Sequence, residues 1–105
     1  MLTRKKLFNL IHNFLTELKA LGYQPEKVIL FGSYAKGNPH ENSDVDLAIW
    51  NEGFSGVNFI DFEPFVHIVS KYHPLQLHTF ASGETELDNP FIQEITSKGI
   101  LIDLP

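Results

Sequence analysis

Residues 30–50 read LFGSYAKGNPHENSDVDLAIW, and two apolar runs around this stretch determine how the chain is expected to fold. The first run, Val28–Phe31, is continuous and stops at Gly32-Ser33, which is typical of a strand buried on both faces. The second, Asp44–Trp50, begins with two alternating carboxylates and then becomes apolar. Between them, Gly37-Asn38-Pro39 favours a loop after a short helical turn. The stretch therefore predicts two strands joined by a turn and a loop.

Around these strands, apolar spacing predicts three helices and two further strands. Apolar residues recur at helical spacing from Arg4 to Leu21, with Thr3 as the expected N-cap and Gly22 just after the helix end. The other expected elements are a helix capped by Asp61 with an apolar stripe of Phe62, Phe65, Val66, Val69 and Tyr72 that ends before Pro74, a strand over 75–80, a helix from Asn89-Pro90 to Gly99, and a short strand over 100–102. We therefore expect an α/β (α+β) fold, a single domain over residues 1–105 with helices packed against a small mixed β-sheet.

Gly32 and Ser33 form a candidate phosphate site. A turn from a strand into a helix leaves backbone N–H groups free, and Ser33 adds a hydroxyl that can donate to a phosphate oxygen. Gly32 has no Cβ to obstruct the approach of that oxygen. Many such turns contain Gly-Ser for their geometry alone, so the pair by itself does not distinguish the two interpretations.

Asp44 and Asp46 form a candidate metal site. Residues two apart on a strand share one face, so the two carboxylates lie within about 7 Å and repel each other unless a cation lies between them. Mg²⁺ takes a few carboxylate oxygens and completes its octahedron with water and substrate phosphates. The alternative is that Asp44 caps a loop and Asp46 points into solvent. Pairing of the two strands would bring the carboxylates beside Gly32-Ser33, which favours a site for a magnesium nucleoside triphosphate.

The whole stretch resembles the signature of the minimal nucleotidyltransferase family, the small branch of the polymerase-β-like superfamily. The similarity covers the apolar strand, Gly32-Ser33, Gly37, Ser43 and Asp44-Val45-Asp46, and the closing NPFIQEITSKGILI is similar to that family's last helix and strand. The resemblance implies that a nucleoside monophosphate, commonly AMP from ATP, is transferred to an acceptor hydroxyl with release of pyrophosphate. It implies that Gly32 and Ser33 hold the nucleotide phosphates, and that the two aspartates are catalytic ligands of Mg²⁺.

The resemblance also implies a protein partner. Larger relatives bind their acceptor with an additional domain, for which 105 residues leave no room, so we expect the acceptor on another protein. Small members of this kind are similar to antitoxins paired with an all-helical HEPN toxin, an RNase that is neutralised by transfer of AMP to a tyrosine. An HEPN-type helical protein is therefore the expected partner. Transfer to a small molecule such as an aminoglycoside is a further alternative.

One position departs from the family's pattern. The family usually places a third carboxylate on the next strand, where it binds a second metal ion and helps to deprotonate the acceptor, but this chain has Gln76 there. A neutral amide cannot act as a base, and loss of a general base typically costs about 10²- to 10⁴-fold in rate. His78, expected on the same strand face, is a candidate substitute as base or ligand, although a strand histidine is often only a hydrogen-bonding residue. The alternative to an active enzyme is a catalytically weak or inactive module that neutralises its partner by binding.

Composition limits the other functions. Eight basic residues against thirteen acidic ones give a net charge of −5, so we expect no direct binding to nucleic acid. The chain has no cysteine, and the spacing of His67, His73 and His78 matches no recognised zinc pattern. Without an export signal or a run of about 18 apolar residues, we expect a cytoplasmic protein that does not enter membranes. Trp50 is expected in the core, and stacking of an adenine on Tyr34 is left open.

Overall fold

The four strands form one sheet, and the helices pack around it. A computed structural model of the protein describes residues 1–104, apart from the Phe59 side chain. The helices are α1 (Arg4–Ala20), α2 (Ser33–Lys36), α3 (Asn58–Phe62), α4 (Val66–Val69) and α5 (Phe91–Lys98), and the strands are β1 (Lys27–Phe31), β2 (Val45–Asn51), β3 (Leu75–Ala81) and β4 (Ile100–Leu101). The strand order is β3-β2-β1-β4, with β2 and β3 parallel and the other pairs antiparallel. The predicted α/β (α+β) fold with a small mixed sheet is confirmed.

The two strands predicted from residues 28–50 lie at the centre of the sheet, which explains their continuous apolar character. Their antiparallel register pairs Phe31 with Asp46, so the end of β1 lies beside the start of β2. β2 begins at Val45, one residue later than predicted, and Asp44 lies in the preceding loop. The Val45 amide donates to the Pro74 carbonyl at 2.9 Å, which attaches the start of β2 to the start of β3.

The sheet separates two apolar layers. On one face lies α1, whose Thr3 hydroxyl accepts the Lys6 amide as the predicted N-cap and whose end is followed by Gly22 at a φ of 98°. Burying each large apolar side chain of α1 contributes about 1.5–3 kcal/mol. The buried residues of α1 are Leu7, Ile11, Phe14, Leu15 and Leu18. Within residues 1–104, no helix has the length and apolar character needed to cross a membrane.

The opposite face is covered by α5. Its Ile92 and Ile95 pack on a second buried cluster that includes Ala48, Trp50 and Phe80. The Trp50 ring stacks on Phe80 at 4.8 Å, and its indole N–H donates to the Glu84 carbonyl at 2.8 Å. The expectation that Trp50 is a core residue is therefore confirmed.

The turn from α5 into β4 admits only glycine. A Cβ on Gly99 would lie 2.3 Å from Ile29 Cγ2 and 2.4 Å from the Ile95 carbonyl oxygen. Because β4 pairs with β1, this close approach lets the chain leave the helix and enter the sheet within one residue. The predicted stop at Gly99 is confirmed.

The segment between β2 and β3 differs from the prediction of one helix capped by Asp61. The helical region starts earlier, at α3, and is divided by short 3₁₀ segments at Glu63–Phe65 and Ser70–Tyr72. Pro64 supplies no amide donor, which helps explain why the helix does not run continuously. Val66, assigned to the apolar stripe, is 54% exposed, and Ile68 is buried instead. The end of this region before Pro74 agrees with the prediction.

Asp61 caps the loop before α3 rather than a helix that follows it. Its carboxylate accepts the Ser55 amide at 2.8 Å, the Gly56 amide at 3.1 Å and the Thr79 hydroxyl at 2.7 Å. Burial raises the pKa of the Asp61 carboxyl, but the hydrogen bonds from Ser55, Thr79 and Gly56 outweigh it and leave the pKa lowered. The buried carboxylate therefore ties the loop to β3.

Candidate active site

A close approach in the candidate site joins Gly32 and Asp46. Gly32 has a φ of 77° and a ψ of −156°, a backbone conformation that residues other than glycine rarely adopt. A Cβ built on it would lie 2.4 Å from Asp46 Oδ2. The backbone angles therefore favour glycine here, and a Cβ would displace the Asp46 carboxylate. The structure brings these two predicted site residues into direct contact.

Ser33 begins α2 with its donors available. The Gly32 carbonyl accepts the amides of Ala35 and Lys36, both at 3.1 Å, as the first hydrogen bonds of the turn. Among the hydrogen bonds of residues 1–104, none uses the Ser33 amide or hydroxyl as a donor. Both groups are partly accessible beside Gly32 and can donate to a phosphate oxygen.

Asp44 lies at the edge of a hollow next to this turn. The hollow has a volume of about 430 Å³, and Asp44 is exposed at its border. The preceding Ser43 is buried, and its hydroxyl accepts the His40 amide at 2.8 Å, so Ser43 shapes the loop that presents Asp44. Other residues around the hollow are Met1, Leu2, Tyr34, Glu41, Asn42, His73 and Pro74.

Tyr34 is part of the core. Its side chain is 9% exposed in the cluster beneath α1, and its hydroxyl accepts the Leu2 amide at 3.0 Å. The Tyr34 side chain is therefore buried and hydrogen-bonded to the N-terminal segment, which does not favour stacking of its ring on an adenine.

Gln76 and His78 follow one another along the same face of β3. The parallel register pairs Asp46 with Gln76 and Ala48 with His78. Because paired residues of adjacent strands share a face, the side chains of Gln76 and His78 lie on the side of Asp46. His78 Nε2 lies 3.5 Å from Asp46 Oδ1. The two histidines that the zinc alternative also required, His67 and His73, are exposed on other segments.

The donor set suits magnesium that arrives with a nucleotide. Within residues 1–104, no three histidine, aspartate or glutamate side chains converge on one point, so the described chain holds no complete metal cage. Mg²⁺ is ordinarily bound by one or two carboxylates together with substrate phosphates and water. Asp46 lies beside Gly32 and Asp44 is exposed two residues earlier, so these two carboxylates would be the candidates to hold such an ion.

A second hollow, which borders Gly32, is lined by cationic residues that the sequence did not reveal. Its volume is about 200 Å³, and both Lys36 and Lys98 lie on its border with one carboxylate, Glu94. Lys36 is three residues after Ser33, a spacing that could have suggested it. Lys98 comes from the end of α5, and only the packing of that helix brings it here. In a chain of net charge −5, two lysines around a hollow that borders Gly32 favour an anionic ligand there.

Comparisons with known proteins identify the family and support the fold. The family model described as nucleotidyltransferase domain matches residues 11–102. A crystal structure of a protein from Sulfolobus solfataricus, provisionally described as a nucleotidyltransferase, superposes with a TM-score of 0.55 at 22% sequence identity. The alignment covers 90% of this chain and 78% of that one, and at this identity it shows the fold alone. No curated protein matches the sequence.

Proposed function

We propose a function from one premise, which is that the chain belongs to the nucleotidyltransferase domain family. The proposed reaction transfers AMP from ATP to a hydroxyl of a partner protein. The acceptor oxygen forms a bond to the α-phosphorus, the bond from that phosphorus to the β-phosphate oxygen breaks, and pyrophosphate leaves while the hydroxyl proton passes to solvent. The observation that carries the proposal is the contact of Gly32 with the Asp46 carboxylate, which joins the Gly32-Ser33 turn, the proposed phosphate site, to a proposed metal ligand.

The residues around this contact take separate roles. The Ser33 amide and hydroxyl donate to the outer phosphates, and Lys36 and Lys98 offset their charge from the neighbouring hollow. Asp44 and Asp46 would hold Mg²⁺ that arrives with the nucleotide. When bound, such an ion stabilises negative charge that develops on the phosphates and the leaving group. Apart from Lys98 on α5, the residues with these roles lie on α2, on the loop before β2 and at the start of β2, which meet at the end of β1.

The proposed acceptor is an HEPN-type helical protein in the cytoplasm, where ATP is available. The support is the resemblance of residues 30–50 to the small nucleotidyltransferases that serve as antitoxins. AMP placed on a tyrosine of that partner would add charge and bulk to its surface. In this proposal the chain acts as an antitoxin by modifying the protein that it binds.

A labelling experiment tests the proposal. The protein is co-expressed with the product of the neighbouring gene, and the purified pair receives Mg²⁺ and ATP labelled at the α-phosphate. We expect label on the partner with the wild type and none with the variant Asp44→Asn/Asp46→Asn. A matched control, Glu86→Gln/Asp103→Asn, removes two exposed carboxylates elsewhere and should label normally. Circular dichroism checks that both variants fold, and unchanged labelling by the first would refute the role given to its two aspartates.

The position of Gln76 supports a second candidate function. Gln76 pairs with Asp46, so an amide occupies the place beside the proposed metal ligand. A chain without that carboxylate would transfer AMP slowly or not at all, and could neutralise its partner by covering the partner's active site. Growth of cells that express the partner separates the two functions. Rescue by Asp44→Asn/Asp46→Asn would favour binding, because occlusion needs the surface and transfer needs the carboxylates.

A further inference from the structure

We propose that the outer edge of β4 is an interface at which two copies of the chain pair into one continuous β-sheet. This inference goes beyond the proposed function, because it concerns the assembly of the chain and does not depend on its reaction. The strand order β3-β2-β1-β4 leaves two outer edges, one at β3 and one at β4. An unpaired edge presents N–H and C=O groups that readily pair with another strand. The two edges of this sheet differ in how they are covered.

The outer edge of β3 is blocked by a side chain. Asn58 accepts the Thr79 amide at 2.7 Å and donates to the Leu77 carbonyl at 3.2 Å. Backbone groups that an added strand would use are therefore already bonded within the chain. A second copy would have to displace Asn58 in order to pair there, which makes β3 the less favourable edge for association.

The outer edge of β4 is open at Leu101. The Ile102 amide donates to the Val28 carbonyl at 2.9 Å, and successive residues of a strand alternate in direction, so the N–H and C=O of Leu101 point away from β1. Among the hydrogen bonds of residues 1–104, none uses these two groups. The Leu101 side chain is 66% exposed. One residue thus offers a donor, an acceptor and an apolar side chain to another molecule.

A second copy of the same edge fits these groups. When two β4 strands run antiparallel about a two-fold axis at Leu101, the Leu101 amide of each copy donates to the Leu101 carbonyl of the other. Directly opposite residues share a face of the sheet, with Cβ atoms about 4.5–5.5 Å apart, so the two exposed leucines also cover each other. One pairing therefore satisfies the outward polar groups and buries the apolar side chain.

The hollow beside this edge carries charges that suit a second copy. It has a volume of about 470 Å³ and lies between α1 and β4. Arg4 and Asp103 both border it, and the Arg4 guanidinium lies 5.1 Å from the centre of the Phe8 ring. A surface that meets its own copy must be self-complementary, and a border with one arginine and one aspartate carries both signs of charge. A partner with a single sign of charge would match only half of this border.

The size of the strand indicates a reversible dimer. β4 has two residues and contributes few backbone hydrogen bonds, whereas stable interfaces bury about 1,200–2,000 Å² in total. The hollow supplies further surface, because Phe8, Ile11 and Ile100 also line it. We therefore expect a dissociation constant in the micromolar range. The candidate active site is not used in the pairing, since Asp46 lies on β2 and β1 separates that strand from β4.

Sedimentation equilibrium of the purified full chain tests the assembly. We expect the mass to rise from 12.0 kDa toward twice that value as the concentration increases from micromolar to submillimolar. Leu101→Lys places two ammonium groups side by side at the axis and should weaken the dimer by about tenfold or more. Leu87→Lys is the matched control, because Leu87 is a 93% exposed leucine in the loop before α5, and this variant should dimerise as the wild type does.

Amide hydrogen exchange, measured by NMR, identifies the contact. Exchange of the Leu101 amide should slow by about tenfold or more as the wild type dimerises, and the amide of residue 101 in Leu101→Lys should show no such change. A wild type that stays monomeric over the whole range would overturn the proposal, even if the edge binds the co-expressed partner. A dimer that Leu101→Lys leaves intact, or in which the Leu101 amide is not protected, would overturn it as well. Circular dichroism establishes that both variants are folded.

Discussion

Asp46 and Gln76 lie side by side on the parallel strands β2 and β3, as partners in register. One is a carboxylate in contact with Gly32, and the other is an exposed neutral amide. The third carboxylate of the family pattern would lie at this place. The structure therefore puts the departure of this sequence from that pattern directly beside Asp46.

Replacing Gln76 with aspartate should increase nucleotidyl transfer. The new carboxylate would add a metal ligand and a base, and a general base contributes about 10²- to 10⁴-fold in rate, so we expect a gain of about 10²-fold. Initial rates of label transfer from ATP to the co-expressed partner measure it. Gln76→Asn is the matched control, because asparagine has the shape of aspartate without its charge, and it should bring no gain. A rate for Gln76→Asp no higher than that of the control would contradict the prediction.

Replacing Gly32 with alanine should destabilise the fold and weaken nucleotide binding. The backbone angles of Gly32 exclude other residues at a cost of about 1–3 kcal/mol, and the new methyl group would also push the Asp46 carboxylate aside. Gly37→Ala is the matched control, since Gly37 has a φ of 79° at the other end of α2 with nothing within 4 Å of its added Cβ. We expect a loss of about 1–2 kcal/mol there, from backbone strain alone. Urea unfolding and titration of a fluorescent ATP analogue measure the two effects.

A double-mutant cycle isolates the clash between the alanine and the carboxylate. In an Asp46→Ala background, Gly32→Ala should cost less free energy of unfolding than in the wild type, by about 0.5–3 kcal/mol. Additive costs would mean that backbone strain alone explains the requirement for glycine at this position.

Replacing Asp61 with asparagine should remove a pH-dependent part of the stability. The folded-state pKa of Asp61 is lowered, so its stabilisation is complete above the unfolded value of about 3.9 and is lost as the pH falls through the folded pKa. At pH 7 the amide cannot accept all the hydrogen bonds from Ser55, Gly56 and Thr79, and we expect a loss of about 2–3 kcal/mol. The difference from the wild type should shrink below about pH 4. Urea unfolding at pH 7 and pH 3 checks this, and a difference equal at both would argue against an ionised Asp61.

Replacing Asn58 with alanine should open the outer edge of β3. The Asn58 amide donates to the Leu77 carbonyl at 3.2 Å and its oxygen accepts the Thr79 amide at 2.7 Å, so the side chain takes the place of a neighbouring strand. We expect a loss of about 1–3 kcal/mol in stability and greater self-association, because unpaired strand edges tend to pair with other chains. Urea unfolding measures the loss of stability, and analytical ultracentrifugation measures the self-association. Asn9→Ala, on the exposed face of α1, should change stability by less than about 0.5 kcal/mol, and equal behaviour of the two variants would contradict the prediction.

Local patterns predicted most of the elements. The spacing of leucines in α1, the buried run of β1 and the alternation in β3 each depend on residues close in sequence. The region from α3 to Tyr72 was predicted less well. There Pro64 interrupts the helix, and the partners of Asp61 include Thr79, a residue of β3 far along the chain. A capping residue can be identified from its neighbours, but which element it caps depends on contacts formed only in the folded chain.

The sequence by itself determined most of the helices and strands, the Gly32-Ser33 turn and the spacing of Asp44 and Asp46, because each follows from short-range sterics and periodicity. Only the tertiary structure decided that Asp46 rests on Gly32, that Gln76 lies beside it and that His78 reaches its other oxygen. Strand register and side-chain packing fix these distances, and both depend on residues far apart in the chain. The same holds for Lys98, which α5 carries to the hollow beside Gly32.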